Sequence, residues 1–499
     1  MLSALIWLPV LGALFTGILL PKWAKVSAIA TSSIVLFLNL LLLRQFNLGE
    51  GGFQLQENLT WLDSIGLNYS LGIDGLSLPL VVLNGLITWL VVCFDREIEE
   101  RKPLFYVLIF LIHSSFSGAV LSLNTLLFVL FYEVELIPIY LVIAIWGGKQ
   151  KNYAAIKFLI FTAISGILIL AGFLALAWLS GNGGALFDYQ ALQSVSLPLS
   201  TQIILLLLLL GGFAIKAPFV PFHTWLPDTY VESITPVVMM LGGVVAKLGT
   251  YGLFRFCVSL FPDAWSLLSP WIALWAGLGI LYGAVTAIAQ KDIKRMVAYS
   301  SIGHMSYILL AAAAGTPLSL VGGIAQMVSH GLILALLFDL VGIIEKKVGT
   351  RELDVLNGLL NPLRGFPTIS ALLILGGMAS AGIPGMLGFI AEFLVFQGSF
   401  VKFPIPTLLA ILGTGLTAVY FVILLNRTCF GKLDNATAYY PKVFRSEQIP
   451  ALVLTSIIIF LGIQPQWLTA WSETVATQIT DRLPSVTIAQ TPSPSSFRK

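Results

Sequence analysis

Gly211-Gly212-Phe213-Ala214-Ile215-Lys216-Ala217-Pro218-Phe219-Val220-Pro221 sits inside an apolar run that extends from about 201 to 230. Two prolines break the helix that the run would otherwise form, because each removes a backbone donor and clashes with the preceding turn. A lysine stands at the break. At bilayer depth a lysine costs at least ~2.5 to 3.5 kcal/mol, so by default it faces protein or a wet cavity and marks an ion or proton path. A second lysine, Lys247, lies near the middle of the next apolar run.

The surrounding chain has the composition of a polytopic membrane protein. Its 499 residues are 57% hydrophobic and only 10% charged, with a mean hydropathy of +0.93. No soluble core uses so much apolar surface. A net charge of +3 argues against nucleic-acid partners. Cys93, Cys257 and Cys429 are single and widely spaced, which gives no zinc or iron–sulfur ligand pattern. The first twenty residues lack a basic n-region and a small-residue cleavage site, so they read as a retained helix.

Apolar runs long enough to cross the ~30 Å hydrocarbon core fall at 3–20, 25–44, 72–93, 103–122, 124–146, 152–180, 201–230, 232–258, 264–289, 295–315, 317–345, 366–402, 404–427 and 447–467. The expected fold is therefore all-α, with about fourteen transmembrane helices. Of the 27 basic residues, nineteen fall in odd-numbered loops and six on the even side; the remaining two are Lys216 and Lys247. The positive-inside rule then places the odd loops in the cytoplasm or stroma and both termini on the opposite side. The loop from Gln45 to Leu71 reads as a small cover on that opposite side, and the Pro-, Ser- and Thr-rich tail beyond Leu483 as mobile.

The run 366–402 is also too long and too broken to be one straight helix: it holds Ala381-Gly382-Ile383-Pro384-Gly385-Met386-Leu387-Gly388 and, just after, Glu392. The two interrupted helices are the seventh and the twelfth, five apart, so they cross the membrane in opposite directions. Each pairs a break with an ionisable residue. Matching interruptions in two halves point to inverted repeats around an ion pathway. The expected organisation is N-terminal helices 1–3 in residues 1–102, a first repeat in 103–258, an inverted second repeat in 259–430, and a last helix with tail in 431–499.

Ionisable residues within the predicted spans include His113, Glu133, Glu135, Lys216, Lys247, His304, His330, Asp339 and Glu392, with His223, Asp228 and Glu232 near one end of the seventh and eighth helices. They are dispersed over different helices with no HExxH-like pattern for a metal and no GxSxG elbow for a nucleophile. Proton exchange fits this inventory best, since carboxylates, imidazoles and amines joined by water pass protons. A Glu133–Lys216 pair would gain ~4 kcal/mol at 4 Å and effective dielectric 20, enough to switch the lysine between holding and releasing a proton. Glu133 and Glu135 lie about 200° apart round a helix, so only one of them faces such a pathway. The plainer readings are that His113 and His330 are interhelical hydrogen-bonding groups and that Asp74, in Gly72-Ile73-Asp74-Gly75, is a helix N-terminal or loop-packing residue.

Four segments carry a family resemblance: Phe131-Tyr132-Glu133-Val134-Glu135-Leu136-Ile137-Pro138, Lys216 to Asp228, Ala298-Tyr299-Ser300-Ser301-Ile302-Gly303-His304-Met305, and Gln326-Met327-Val328-Ser329-His330-Gly331-Leu332. Together they resemble the antiporter-like membrane subunits of respiratory complex I and its photosynthetic NDH-1 relatives, over nearly the whole chain. Glu392, where sister subunits and Mrp antiporters carry lysine, is similar to the glutamate branch of that family. The resemblance implies a proton channel with Glu133 and Lys216 as switching pair, Lys247 and His304 as central relay, Glu392 as terminal site, and His330 and Asp339 joining the relay or its entry. It implies no cofactor in this chain: quinone, iron–sulfur clusters and the electron donor, NAD(P)H or ferredoxin, belong to other subunits. The implied partners are neighbouring membrane subunits and lipids, and the implied location is a cyanobacterial thylakoid membrane, otherwise a bacterial inner or plastid thylakoid membrane. After Asp228 the family has Asp-Ala-His where this chain has Thr229-Tyr230, a departure that resembles the CO2-uptake paralogues and implies CO2-uptake subunits as further partners. The alternative is a subunit of an Mrp-type cation/proton antiporter.

Overall fold

The computed structural model describes residues 1–18, 20–95, 98–181, 186–431 and 440–484. The expectation of a mobile tail beyond Leu483 falls almost entirely outside the described residues. Its helices are α1 (Leu2–Ile18), α2 (Pro21–Gln45), α3 (Ser77–Phe94), α4 (Lys102–Leu121), α5 (Thr125–Trp146), α6 (Lys151–Ser180), α7a (Leu199–Lys216) and α7b (Trp225–Glu232), α8 (Thr235–Val258), α9 (Pro262–Ile288), α10 (Ile293–Ala314), α11 (Pro317–Val348), α12a (Pro367–Ser380) and α12b (Leu387–Phe400), α13 (Pro404–Thr428), α14 (Arg445–Ile463) and α15 (Gln466–Arg482). Twelve of these are long and apolar enough to cross a membrane. With α1 and the split α12 they make up the fourteen expected segments.

The ends of the helices follow from local chemistry. Pro21, Pro103, Pro236, Pro262, Pro317, Pro367 and Pro404 stand in first turns, where a missing N–H costs nothing and the fixed φ is already helical. Gly315 and Gly349 close α10 and α11 in left-handed conformation, which a residue without Cβ adopts freely.

Burial sorts the helices into a core and a rim. The apolar window of α8 is wholly buried, and those of α10 and α11 are each 94% buried, whereas α2 buries only 28% and α13 and α14 each 33%. The rim helices therefore present Leu, Ile and Phe outward as a lipid-facing surface. Helix α11 is the hub, packed against α3, α8, α10, α12b, α14 and α15. Helices α9 and α10 approach through Gly283 and Gly303, where an added Cβ on Gly283 would lie 2.4 Å from the Gly303 nitrogen. Small residues bring the backbones together where no water-driven force acts between helices.

Two elements depart from the sequence expectation. The loop after α2 is not irregular: β1 (Gln54–Leu62) and β2 (Leu67–Ile73) form an antiparallel hairpin that marks one face of the bundle. On the same face α15 lies beyond the last apolar run. Thr480 bonds to the Gly315 carbonyl and Thr474 to that of Leu48, and Gly75 allows the Trp471 carbonyl to approach. We call this the hairpin face and the opposite one, which carries the predicted basic loops, the basic face.

Candidate functional site

Helix α7a ends at Lys216. Beyond it the chain leaves the helix for eight residues, with a cis Val220–Pro221 bond, and resumes as α7b. The break is bridged, since Trp225 Nε1 donates to the Ile215 carbonyl at 2.8 Å and the Trp275 indole donates to the carbonyl of Val220. Carbonyls freed by the interruption thus find partners inside protein, as they must in a bilayer.

Lys216 is fully buried and forms an ion pair with Glu135, which is also fully buried. Its ammonium further lies 5.0 Å from the ring of Tyr132 and 5.9 Å from that of Phe158, so aromatic faces add to the compensation of its charge. The Tyr132 hydroxyl shares a 2.6 Å hydrogen bond with Ser165, which in turn donates to the Gly212 carbonyl. This corrects the expected partner: Glu135, not Glu133, touches Lys216. The two glutamates lie on different faces of α5: Glu135 faces α7a, and Glu133 is half-buried against Gly166 of α6, where a Cβ would strike its carboxylate. The two glutamates do face different neighbours, as their spacing requires.

Lys247 lies on α8 just after a π-helical turn, Leu241–Val245. Its ammonium donates to the Gly242 carbonyl within that turn and lies 2.9 Å from His330 Nδ1. Such turns insert an extra residue and recur at functional sites. The His330 ring centroid is 5.6 Å from that of His304. His304 Nδ1 is 3.3 Å from Glu392 Oε1 and its Nε2 is 3.0 Å from the Ser380 hydroxyl at the end of α12a. Glu392 Oε2 accepts from Thr414, whose hydroxyl pairs with that of Tyr307. Four predicted residues, Lys247, His330, His304 and Glu392, therefore form one buried line from α8 to α12b.

A small cavity with room for about one water molecule opens along this line, bordered by His304, Gln326, Ser329, His330, Ser380 and Glu392. Around it Gln326 Oε1, Ser329 Oγ and His330 Nε2 are buried with no hydrogen-bond partner in the protein. Unsatisfied polar atoms facing a space of that size are the usual surroundings of a buried water. The arrangement suits proton transfer through short hydrogen-bonded steps.

The Lys216 pair is held next to this line by close packing. Gly249, two residues after Lys247, lies against Ala217, and a Cβ there would come within 2.5 Å of the Ala217 nitrogen. Asp339 is not in the line. It lies nine residues after His330 on α11 and helps to wall a crevice toward the basic face with Asp95, Thr235, Met239 and Lys346. Asp228 is held by Lys157 at 2.7 Å and Arg295 at 3.1 Å. Glu232 fixes the corner after α5 by accepting from the backbone of Gln150 and, through its carbonyl, from Gly148. His223 pairs with the Tyr282 hydroxyl at 3.1 Å.

The sequence reading missed one buried ion pair. Arg255 lies on a second π-helical turn of α8, Leu253–Val258, and meets Asp74 at 2.6 Å with both side chains 5% exposed. Asp74 lies just before α3, and its Oδ1 accepts from the Leu76 and Ser77 nitrogens. The signal was present: Arg255 falls inside an apolar run, two helical turns from Lys247.

Residues 122–417 match the family model described as "NADH:quinone oxidoreductase/Mrp antiporter, TM". The chain is 39% identical over 501 residues to NAD(P)H-quinone oxidoreductase chain 4 1 of Synechococcus sp. (strain JA-3-3Ab), covering 97% of this chain and 94% of that one. It is 40% identical to the chloroplastic chain 4 of Chaetosphaeridium globosum over 402 residues, 78% of this chain and 79% of the other. Among solved structures, a chain of respiratory complex I from Thermus thermophilus superposes with a TM-score of 0.89 at 27% identity, over 97% of this chain and all of that one. A chain of the Mrp complex from Dietzia sp. DQ12-45-1b shares the fold, with a TM-score of 0.85 at 21% identity, over 96% of this chain and 98% of the other. The chain belongs to the NADH:quinone oxidoreductase/Mrp antiporter transmembrane family, on the branch of NAD(P)H-quinone oxidoreductase chain 4.

Proposed function

We propose that the chain moves protons across the membrane as a subunit of an NAD(P)H-quinone oxidoreductase complex, taking no part in electron transfer itself. The observation that carries this reading is the buried line Lys247–His330–His304–Glu392 packed beside the Lys216–Glu135 pair. A spacer would place apolar residues at these positions at less cost. With the pair closed, Glu135 stabilises the protonated amine of Lys216 by about 4 kcal/mol at effective dielectric 20. Opening the pair removes that stabilisation, and the proton passes to Lys247. Lys247 Nζ lies 2.9 Å from His330 Nδ1 and passes the proton to it; His330 releases a proton into the water-sized cavity, and His304 hands one to Glu392.

Quinone, iron–sulfur clusters and the electron donor are held by other subunits in this reading. The basic loops face the cytoplasm or stroma and both termini the lumen of a thylakoid-type membrane, by the distribution of Lys and Arg. The CO2-uptake subtype rests on Thr229-Tyr230 alone, and co-purification with CO2-uptake proteins is its test. For the main reading, Lys216→Ala in an assembled complex reconstituted into vesicles should leave subunit content intact and cut proton translocation about tenfold or more; pumping at the wild-type level would overturn it. Sodium-dependent exchange by the isolated chain would instead favour the Mrp-type antiporter.

A further inference from the structure

The proton line needs a way in from the basic face, and the crevice beside Asp339 stops short of Lys247. Near both lies a buried polar cluster, Asn84 and Thr88 on α3 with His113 and Ser117 on α4. His113 is buried, with Nδ1 2.9 Å from the Thr88 hydroxyl. Asn84 donates to the His113 carbonyl at 3.0 Å and to Ser117 at 2.9 Å. His113 Nε2 is buried with no partner, a standing cost that a Leu or Phe at this site would not carry.

The cluster lies next to residues at both ends of the gap. Toward the crevice, Val91 lies one turn along α3 from Thr88 and lines the crevice with Met239 and Asp339. Toward Lys247, the Thr88 hydroxyl lies 3.7 Å from the sulfur of Met240, the residue just before the π-turn whose Gly242 carbonyl receives the Lys247 ammonium. Ile87, beside Thr88, packs on Gly243 of the same turn.

We propose that His113, held by Thr88, relays protons from the basic-face crevice at Asp339 to Lys247. This rests on the reading that Lys247 carries protons. In the step, an N–H forms at one ring nitrogen of His113 as an O–H of a hydronium in the crevice breaks and leaves neutral water. The other ring nitrogen then releases its proton through water to the neutral amine of Lys247, and the imidazole returns to its neutral form. No oxidant or reductant takes part.

The test uses the assembled complex in vesicles, with proton translocation, quinone reduction and thermal stability measured on His113→Gln, His113→Leu and Lys247→Ala. Glutamine keeps a hydrogen bond to Thr88 but does not relay a proton as imidazole does. The expected result is that His113→Gln retains wild-type stability and loses proton translocation about tenfold or more. His113→Gln that pumps like the wild type, or that loses stability and pumping together, overturns the relay and leaves His113 as a packing group. If His113→Leu fails to assemble, His113→Gln still decides. Lys247→Ala separates the two levels: wild-type pumping there sinks the underlying proton line, while loss there with normal His113→Gln sinks only this inference.

Discussion

Glu135 and Glu133 are two residues apart and chemically identical, yet only Glu135 pairs with Lys216. The structure therefore separates them in a testable way. Glu135→Gln should lower proton translocation about tenfold or more, whereas Glu133→Gln should stay within about twofold, measured as vesicle acidification per quinone reduced. Equal effects would mean that both carboxylates share the lysine. The Asp74–Arg255 pair yields a stability prediction. Asp74→Ala leaves a buried guanidinium without its counter-charge and should cost about 3–5 kcal/mol, while replacing both residues with leucine should recover much of that loss; thermal unfolding of the purified complex reads both. These residues also show where sequence stops informing. Spacing says that the two glutamates face different ways, but which of them meets Lys216 depends on how α5 packs against α7a, and no spacing rule predicts it.

At the scale of elements, the two breaks and the two π-turns carry the site. Prolines made the break after Lys216 legible, and glycines with Pro384 made the one before Leu387 legible. The π-turns were not, because Leu241–Val245 and Leu253–Val258 contain no residue type that marks a π-turn; they arise from how α8 packs among its neighbours. Helix α15 was missed for a different reason. Its buried residues, Leu468, Ser472, Val475, Ala476 and Ile479, do recur with helical period, but the segment is too polar to register as a span. Gly249 is the contact that joins the two lysines. Gly249→Ala should force α8 away from Ala217, costing about 1–3 kcal/mol and lowering proton translocation with quinone reduction less affected. A variant as stable and as active as the wild type would show that the break and α8 move independently.

For the whole molecule, composition and proline placement made the fourteen segments, their order and the opposed broken helices readable, and the ionisable residues in mid-span named most of the candidate site. Side-chain adjacency was not readable, since Lys247, His330, His304 and Glu392 come from four helices scattered over some 150 positions. The charge distribution predicts topology: a reporter at either terminus should be reachable only from the side opposite the basic loops, and labelling of cysteines placed in the 291 and 347 loops should show the reverse accessibility. Termini on opposite sides would break the even count of spans.

The contrast between buried and lipid-facing helices also governs how the chain tolerates change. Helix α6 buries only 39% of its apolar window, so one side of it lies on this chain's surface, while α8 and α11 meet protein nearly all round. In a library of single substitutions scored by growth, tolerance along α6 should rise and fall every 3.6 residues. Along α8 and α11 it should stay uniformly low, so that this protein's neutral variation collects on its perimeter while its centre stays nearly invariant.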